Sequence, residues 1–322
     1  MQATDLHFSV KSDFAAVDAA IIEHLSSQVP MVEKIGQYII ESGGKRLRPL
    51  LVLLSARACG YQQQQHITLA AVVEFIHTAT LLHDDVVDTS DLRRGKPTAN
   101  NKWGNSSSVL VGDFLYSRAF QMLVSIGNID VMGTLSNATN VIAEGEVLQL
   151  LNAKNPDVSE ADYLHVILGK TAMLFEAASQ TGAQMAQASS EQTEALRRFG
   201  RHLGVAFQLI DDLMDYTGDQ TSMGKNVGDD LAEGKPTLPL IHAMAHAADD
   251  ERKLIRKAIR QGSCDEIDKI QSILIRCGSL DYTRARATQE TQDALDCLNI
   301  VNDSPYKQSL ADLCTLALTR QN

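Results

Sequence analysis

The chain has 322 residues, of which 44% are hydrophobic and 21% charged, a composition typical of a folded globular protein and not of a disordered chain. Its net charge of -11 argues against a general nucleic-acid-binding surface, which would be basic, but permits a local basic patch for a small anion. The length allows one large domain or two ordinary ones. Because no linker rich in Ser, Gly and Pro interrupts the chain, we predict a single domain over residues 1–322.

The sequence carries no signal for export or membrane insertion. The segment "MQATDLHFSVKSDF" lacks the basic end and apolar core of a signal peptide. Apolar runs such as "LRPLLVLLSARA" are broken by charge before they reach the roughly 18–20 residues that a membrane span needs. The five cysteines are odd in number and have no CxxC spacing, which indicates reduced thiols. We therefore expect a cytoplasmic protein without a transmembrane segment.

Helical periodicity dominates the chain from its start. Phe14, Val17, Ile21 and Leu25 recur at intervals of three and four residues, as along one face of an amphipathic helix. "VEKIGQYIIESGG" repeats the pattern and ends at glycines, and Pro49 falls near the start of the next segment, where proline is tolerated. Later segments such as "TLAAVVEFIHTATLLHDD" and "LRRFGRHLGVAFQLIDDLMDY" continue it, and we recognise no hairpin signal.

This pattern predicts an all-α fold, a multi-helix bundle in a single domain. Several segments are apolar nearly all round, which places their helices at the centre of the bundle. The composition becomes more polar from about Ala248. We therefore predict that residues 248–322 form an outer helical layer of the same domain.

Two aspartate motifs of the form DDxxD each follow an apolar helical run. Residues four apart on a helix differ by only about 40° around its axis. Asp84 and Asp88 therefore share a face, as do Asp211 and Asp215. Carboxylates stacked in this way repel unless a cation lies between them, and hard oxygen ligands of this kind suit Mg²⁺ bound together with a phosphorylated substrate. A single motif of this type could be a solvated helix end. Two copies, each after an apolar helical run, argue against that interpretation.

Basic residues accompany these motifs beside glycines and aspartates, as expected for binding of phosphate groups. They are Lys45, Arg46 and Arg48 in "SGGKRLRP", Arg93 and Arg94 in "DLRRGKP", Lys170 beside Thr171 in "LGKTA", and Lys225 and Lys235 in "GKNVGDDLAEGKPT". The last segment is not a P-loop, because five residues separate its glycines and Pro236 follows the lysine.

Five segments together resemble the signature blocks of the trans-isoprenyl diphosphate synthases, or polyprenyl synthetases. They are "GGKRLRP", "HTATLLHDDVVDTSDLRRGKPT", "GKTAMLFE", "FQLIDDLMDY" and "GKNVGDDLAEGKPTLPL", within residues 43–240. The resemblance implies a helical bundle around a central apolar cavity. It also implies a Mg²⁺-dependent reaction in which an allylic diphosphate ionises, isopentenyl diphosphate attacks the carbocation, and a proton is lost.

The resemblance also implies roles for individual residues. The metal ligands are Asp84, Asp88 and Asp211, which with Lys170 form the catalytic set. The implied isopentenyl diphosphate contacts are Lys45, Arg48, His77 and Arg94. The implied allylic diphosphate contacts are Arg93, Lys170, Thr171, Gln208, Lys225 and Lys235. A lone histidine is usually a core residue, but His77 precedes the aspartates on nearly the same helical face, and this favours a role in binding.

Residues before the first motif are expected to set the product length. Thr80 lies one turn before Asp84 on nearly the same face, and the resemblance marks Ala79 as a gate that is bulky in short-chain relatives. Because both residues are small, the growing chain should extend until it meets larger side chains on a neighbouring helix, for which Phe120, Met122 and Leu123 are candidates. Alternatively, Ala79 could be small only because a small residue is needed for helix packing at this position.

The resemblance implies a long-chain product, octaprenyl first, with products from geranylgeranyl to nonaprenyl as the alternative. It also implies a homodimer, a product that becomes a quinone side chain, and at most a transient membrane contact when the product is released. A non-catalytic subunit would be expected to have lost an aspartate motif. A phosphohydrolase built on His83 and Asp84 would need further histidine ligands, and a terpene cyclase would not repeat the first motif.

Overall fold

The structure is a computed structural model that describes residues 8–217 and 227–319. Helices make up nearly all of its regular structure, which confirms the predicted all-α class. The first helices are α1 (Lys11–His24), α2 (Pro30–Glu41), α3 (Leu47–Ala58), α4 (Gln65–Val87), α5 (Ala99–Trp103), α6 (Asn105–Ile126) and α7 (Ile129–Asn152). The later ones are α8 (Glu160–Ile167), α9 (Met173–Met185), α10 (Ser190–Thr217), α11 (Asp229–Ala232), α12 (Leu238–His246), α13 (Asp249–Gln261), α14 (Ile267–Arg276), α15 (Ser279–Cys297) and α16 (Pro305–Thr319).

The chain divides into two compact units. The first consists of Met1–Thr139, Leu174–Gly200 and Cys297–Leu313, and the second of Asn140–Met173, Arg201–Asp296 and Cys314–Asn322. Residues 248–322, which were predicted to form one outer layer, are therefore divided between the two units.

Helix α3 lies at the centre of the first unit. Its residues Leu50 to Leu54 have no exposed surface, so the helix is buried on every side, as its apolar sequence predicts. Helix α9 approaches it closely at Gly182, where an added Cβ would lie 2.7 Å from the carbonyl oxygen of Val52. Such close approach increases the packing of the two helices.

Helices α4 and α6 pack against each other along much of their length. Both are long and apolar enough to cross a membrane by length and composition alone, which the sequence analysis did not anticipate. In α4 the carboxylates are Glu74 near the middle and Asp84 and Asp85 near the C-terminal end, and 61% of its most apolar window is buried in the protein. In α6 the corresponding share is 39%. Helix α4 is therefore a core helix, whereas much of α6 faces outward.

A short β-hairpin follows α4, and the sequence analysis missed it. Its strands β1 (Leu92–Arg93) and β2 (Lys96–Pro97) are antiparallel. The turn residues Arg94 and Gly95 both have positive φ, 53° and 72°, as a type I′ turn requires. Asn or Asp usually takes the first of these positions, and each strand has only two residues, so neither periodicity nor turn chemistry marked the hairpin.

The second unit has two apolar clusters. In one, Ile255 of α13 and Ile270 of α14 pack with Leu240 and with Tyr216, which directly follows the second aspartate motif. The other includes Leu209 and Leu213 of α10. Helix α10 therefore contributes to both cores of the unit, and this fixes the face on which its aspartates lie.

A buried charged cluster joins three helices of the first unit away from the aspartates. Asp13 of α1 accepts hydrogen bonds from Nε and Nη2 of Arg57 at 2.7 and 2.9 Å, and from Nε2 of His66 at 2.9 Å. Burial alone would raise the pKa of Asp13, but these hydrogen bonds lower it below the ordinary value. Burial lowers the pKa of His66, whose ring has no exposed surface, so its imidazole is neutral in the folded protein.

The neutral His66 predicts a loss of stability in mild acid. Above pH about 6.5 the imidazole is neutral in both the folded and the unfolded chain. Below that pH the unfolded chain binds a proton that the folded chain does not, so the free energy of unfolding falls, by up to about 1.4 kcal/mol per pH unit. Urea unfolding at pH 7.5, 6.5 and 5.5 should show a smaller pH dependence for His66→Gln than for the unsubstituted protein. Parallel curves would contradict this.

Candidate active site

The first aspartate motif forms the C-terminal end of α4. Asp84 and Asp88 are both partly exposed, and the backbone N–H of Asp88 donates to the carbonyl oxygen of Asp84 at 2.8 Å. Asp85, between them, has no exposed surface. His77, Asp84 and Asp88 lie within about 40° of one another around the helix axis. One face of α4 therefore carries two partly exposed carboxylates and an imidazole.

Asp85 ties the hairpin to α4. Its Oδ1 accepts hydrogen bonds from Nε and Nη2 of Arg93 at 2.9 and 2.7 Å, and its carbonyl oxygen accepts one from Asn100 at 3.1 Å. Its Oδ2 is buried and has no hydrogen-bond partner among the described residues. Arg93, implied as an allylic diphosphate contact, is thus held beside the first motif by a carboxylate from inside that motif.

The glycine-rich loop before α3 meets the hairpin turn. At Gly44, whose φ is 153°, an added Cβ would lie 2.7 Å from Nη1 of Arg94. A larger residue there would shift the guanidinium of Arg94, and the positive φ itself favours glycine. Arg46, at the start of α3, has a left-handed φ of 45° and forms an ion pair with Asp18. Lys45, between these two residues, is partly exposed.

Arg48 and His77 are in direct contact. Nη1 of Arg48 lies 3.2 Å from Nε2 of His77, and its guanidinium carbon lies 4.5 Å from the centre of the Phe175 ring. Burial, together with the charges of Arg48, Arg93 and Arg94, lowers the pKa of His77 well below its ordinary value. The imidazole is therefore neutral, and its Nε2 can accept from Arg48 while Nδ1 carries the proton.

In the second unit, the second motif lies near the C-terminal end of α10. Asp211 is partly exposed, whereas Asp212 and Asp215 are buried. Asp212 accepts hydrogen bonds from the hydroxyl of Tyr163 at 2.6 Å and from Nε2 of Gln208 at 2.7 Å. Gln208 in turn accepts one from Oγ1 of Thr171 at 2.8 Å. Two residues that the resemblance implied are thereby joined to the second motif.

Burial and nearby acidic groups disfavour the charged form of Asp212 and Asp215 in the second motif. Burial, and next the charge of Asp230, raises the pKa of Asp212 and of Asp215 well above the ordinary value of aspartate. The backbone N–H of Asp230 also donates to Oδ2 of Asp215 at 3.3 Å. A divalent cation would remove this repulsion, so these donors fit Mg²⁺.

Lys170 lies in a π-helical turn, Leu168–Ala172, between α8 and α9. Such turns are rare and often mark functional sites. Nζ of Lys170 donates to Oε2 of Glu146 at 2.7 Å. At Gly145 an added Cβ would lie 2.7 Å from the backbone nitrogen of Lys170, so only glycine allows α7 to approach the turn this closely. The turn and Glu146 together set the position of the ammonium group.

Of the two remaining lysines implied by the resemblance, Lys235 and Lys225, the structure describes only Lys235. The backbone N–H of Lys235 donates to the carbonyl oxygen of Asp230 at 2.8 Å, and its ammonium forms an ion pair with Glu233. Lys225 lies outside the described residues.

The implied chain-length residues lie just before the first motif and on α6. Ala79 has no exposed surface, and Met122 is 2% exposed. Thr80 is partly exposed, and its hydroxyl donates to the carbonyl oxygen of His77 at 2.8 Å.

His83 lies against α6, where an added Cβ at Gly112 would be 2.4 Å from its Nε2. This agrees with a packing role for His83.

The sequence analysis did not identify Asp85, Glu74 or Glu146 as candidate site residues. Asp85 was part of the motif, but its burial could have been inferred, because it lies about 100° from Asp84 around the helix. Glu74, one turn before His77, has a buried Oε2 without a hydrogen-bond partner among the described residues, and burial raises its pKa. Glu146 interrupts an apolar helical segment, which was a usable signal.

Known proteins match most of this chain. A family model described as polyprenyl synthetase matches residues 29–275. Octaprenyl diphosphate synthase of Escherichia coli strain K12 is 52% identical over 309 residues, which cover 96% of each chain.

Two solved structures share the whole fold. A decaprenyl diphosphate synthase from Rhodobacter capsulatus is 46% identical, with a TM-score of 0.95 and full coverage of both chains. A polyprenyl synthase from Caulobacter crescentus, complexed with calcium and isoprenyl diphosphate, is 41% identical with a TM-score of 0.96, and the match covers 100% of this chain and 98% of that one. The chain therefore belongs to the polyprenyl synthetase family, and it is a prenyltransferase.

Proposed function

We propose that this protein is a cytoplasmic, Mg²⁺-dependent synthase of a long all-trans polyprenyl diphosphate, octaprenyl diphosphate, for a quinone side chain. It adds isopentenyl diphosphate units in sequence to an allylic starter such as farnesyl diphosphate. The observation that carries the proposal is the face of α4 on which His77, Asp84 and Asp88 lie together, with Arg93 fixed beside them. Cationic groups for a diphosphate and carboxylates for a metal are thus held by one helix and its hairpin.

Mg²⁺ is proposed to bind to Asp84 and Asp88 in the first unit and to Asp211 in the second. Their partial exposure makes the carboxylates accessible to an ion, and the mutual repulsion within the second motif favours one. Bound Mg²⁺ would neutralise charge on the diphosphate and assist its departure. The calcium and isoprenyl diphosphate named for the Caulobacter crescentus structure support a divalent metal and a diphosphate ligand in this family.

The protein's own cations are proposed to bind the two diphosphates separately. For isopentenyl diphosphate, Arg48 is held in place by the Phe175 ring and by His77, and the neutral His77 can donate a hydrogen bond from Nδ1. Lys45 and Arg94 complete this set. The allylic diphosphate is assigned to Arg93, Lys170, Thr171, Gln208, Lys225 and Lys235. Because the arginine, the π-helical turn and Gln208 are already positioned by hydrogen bonds, little reorganisation is needed when negative charge develops on the leaving group.

Product length is proposed to depend on Ala79 and Thr80, with Met122 on α6 contributing to the end of the hydrocarbon cavity. Both residues before the motif are small, so neither blocks a growing chain early. Relatives whose names specify octaprenyl and decaprenyl products support a long product. Geranylgeranyl to nonaprenyl products remain the alternative.

A homodimer is proposed from the outward face of α6. Leu110 and Val124 are 66% and 65% exposed, on a helix whose composition is otherwise that of a core helix. Burying such side chains against a second copy would remove apolar surface from water. Light scattering measures this directly, and a mass of one chain for the intact protein would exclude it. Contact with a membrane is proposed to be transient, at product release.

The aspartates are expected to be essential for turnover. Asp84→Ala and Asp211→Ala should each lower kcat by roughly 100-fold or more, because each removes a ligand of the metal that stabilises the leaving group. EDTA should abolish activity and Mg²⁺ should restore it. Asp91→Asn, which alters an exposed carboxylate just beyond the first motif, is the matched control and should retain activity. Full activity in metal-free buffer would refute the mechanism.

The two diphosphate sets are expected to respond separately to substitution. Arg48→Ala should raise the KM for isopentenyl diphosphate, and Lys170→Ala the KM for the allylic substrate. Loss of one charge-assisted contact is worth roughly 1.5–3 kcal/mol, or about 10- to 150-fold. Steady-state kinetics with each substrate varied in turn measures the difference. Equal effects on both KM values in both variants would contradict the assignment.

Ala79→Tyr is expected to shorten the product. The tyrosine should obstruct the path of the growing chain sterically, while isopentenyl diphosphate binding changes little. Chromatographic sizing of the dephosphorylated products measures the change, and Ala79→Ser, which adds a single oxygen atom, should keep the original length. An active Ala79→Tyr enzyme that still makes the original length would show that the chain passes elsewhere.

A further inference from the structure

A mixed histidine and carboxylate cluster lies in the second unit, apart from the residues assigned above. It consists of His202 on α10 and Glu290 and Asp293 on α15. Nδ1 of His202 lies 2.8 Å from Oε2 of Glu290, and the three donor atoms all lie within 4.8 Å of one another. All three side chains are partly exposed, so an ion can reach them from solvent.

We propose that this cluster is a second metal site, for a borderline divalent transition metal such as Zn²⁺. One imidazole nitrogen and two carboxylate oxygens are ligands that Zn²⁺ accepts, whereas Mg²⁺ prefers oxygen alone. Neighbouring donors in a tetrahedral zinc site are about 3.4 Å apart. The donors of His202 and Glu290, 2.8 Å apart, would therefore move apart by about 0.6 Å, and donors at the 4.8 Å limit would move together by about 1.4 Å, which side-chain rotation can supply. Water would complete the coordination.

The arrangement of the helices favours such a site. Glu290 and Asp293 are three residues apart on α15 and so share a face. Arg286, one turn before Glu290, has its Nε 3.7 Å from Glu160, so its guanidinium has another carboxylate as partner. With a neutral histidine the cluster carries two negative charges, which a divalent cation would neutralise.

This site is separate from the second aspartate motif. His202 precedes Asp211 by nine residues on α10, which is about 14 Å along the axis and about 180° around it. The metal would therefore link α10 to α15 on the side opposite Asp211. We assign it a role in holding these helices together and no role in the prenyl transfer itself.

Electron paramagnetic resonance tests the site without reference to activity. The intact protein, with excess Mg²⁺ present, receives one equivalent of Cu²⁺ as the probe. We expect nitrogen coupling from one coordinated imidazole, its loss in His202→Gln, and displacement of the bound Cu²⁺ only by a large excess of Zn²⁺, because Cu²⁺ binds such ligands more tightly. A spectrum without imidazole coupling, or the same coupling in His202→Gln, would overturn the proposal.

A pair of variants on α15 tests the carboxylate ligands. Asp293 and Asp296 each accept a hydrogen bond at 2.9 Å from the glutamine four residues earlier, so they are matched in local structure. Calorimetric titration with Zn²⁺ in excess Mg²⁺ should show at least about tenfold weaker binding for Asp293→Asn, with Asp296→Asn unchanged. Equal affinities for the two variants would exclude Asp293 as a ligand and overturn the three-residue site.

Discussion

The ion pair between the buried carboxylate of Asp85 and the guanidinium of Arg93 is the interaction that holds the hairpin beside the first aspartate motif, and the contacts proposed for the first unit depend on it. Asp85 has no exposed surface and needs a charged partner, whereas Arg93 is 26% exposed, so loss of this pair should cost less than the about 3–5 kcal/mol typical of a fully buried pair. The hairpin that carries Arg93 has only two residues in each strand and could not be stable alone. The ion pair therefore fixes the hairpin to α4, and with it the Arg94 guanidinium that lies against Gly44.

Each unit groups charges of one sign. Basic groups lie near His77 in the first unit, and acidic groups lie near Asp212 and Asp215 in the second. In the first, burial and then the guanidinium groups near His77 lower its pKa and keep the imidazole neutral. In the second, buried carboxylates raise one another's pKa. A ligand of the opposite charge would stabilise each arrangement, as the proposed diphosphate would in the first unit and the proposed metal in the second. The folded protein thus holds these groups in place before the ligands arrive, which is the physical basis of electrostatic preorganisation.

Hydrogen bonds and small residues hold the candidate site residues of the second unit in place. Gln208 is held between Thr171 and Asp212, and Lys170 is held by Glu146 on a π-helical turn that Gly145 allows to approach α7. Such fixed groups lose little entropy on binding a substrate. The same features limit substitution, because larger side chains at the close contacts would displace the groups that they position.

The sequence by itself determined the all-α class, because apolar residues at three- and four-residue intervals specify helices locally. It also identified the two aspartate motifs and the basic segments around them. It could not show the hairpin, whose turn conformation at Arg94 and Gly95 is held by the ion pair from Asp85. Nor could it show that Asp212 and Asp215 of the second motif are buried, or that Glu146 lies beside Lys170. Those features depend on contacts between residues far apart in the chain, because burial and charge pairing arise only when helices pack. The periodicity of one helix does not show which other helix it packs against.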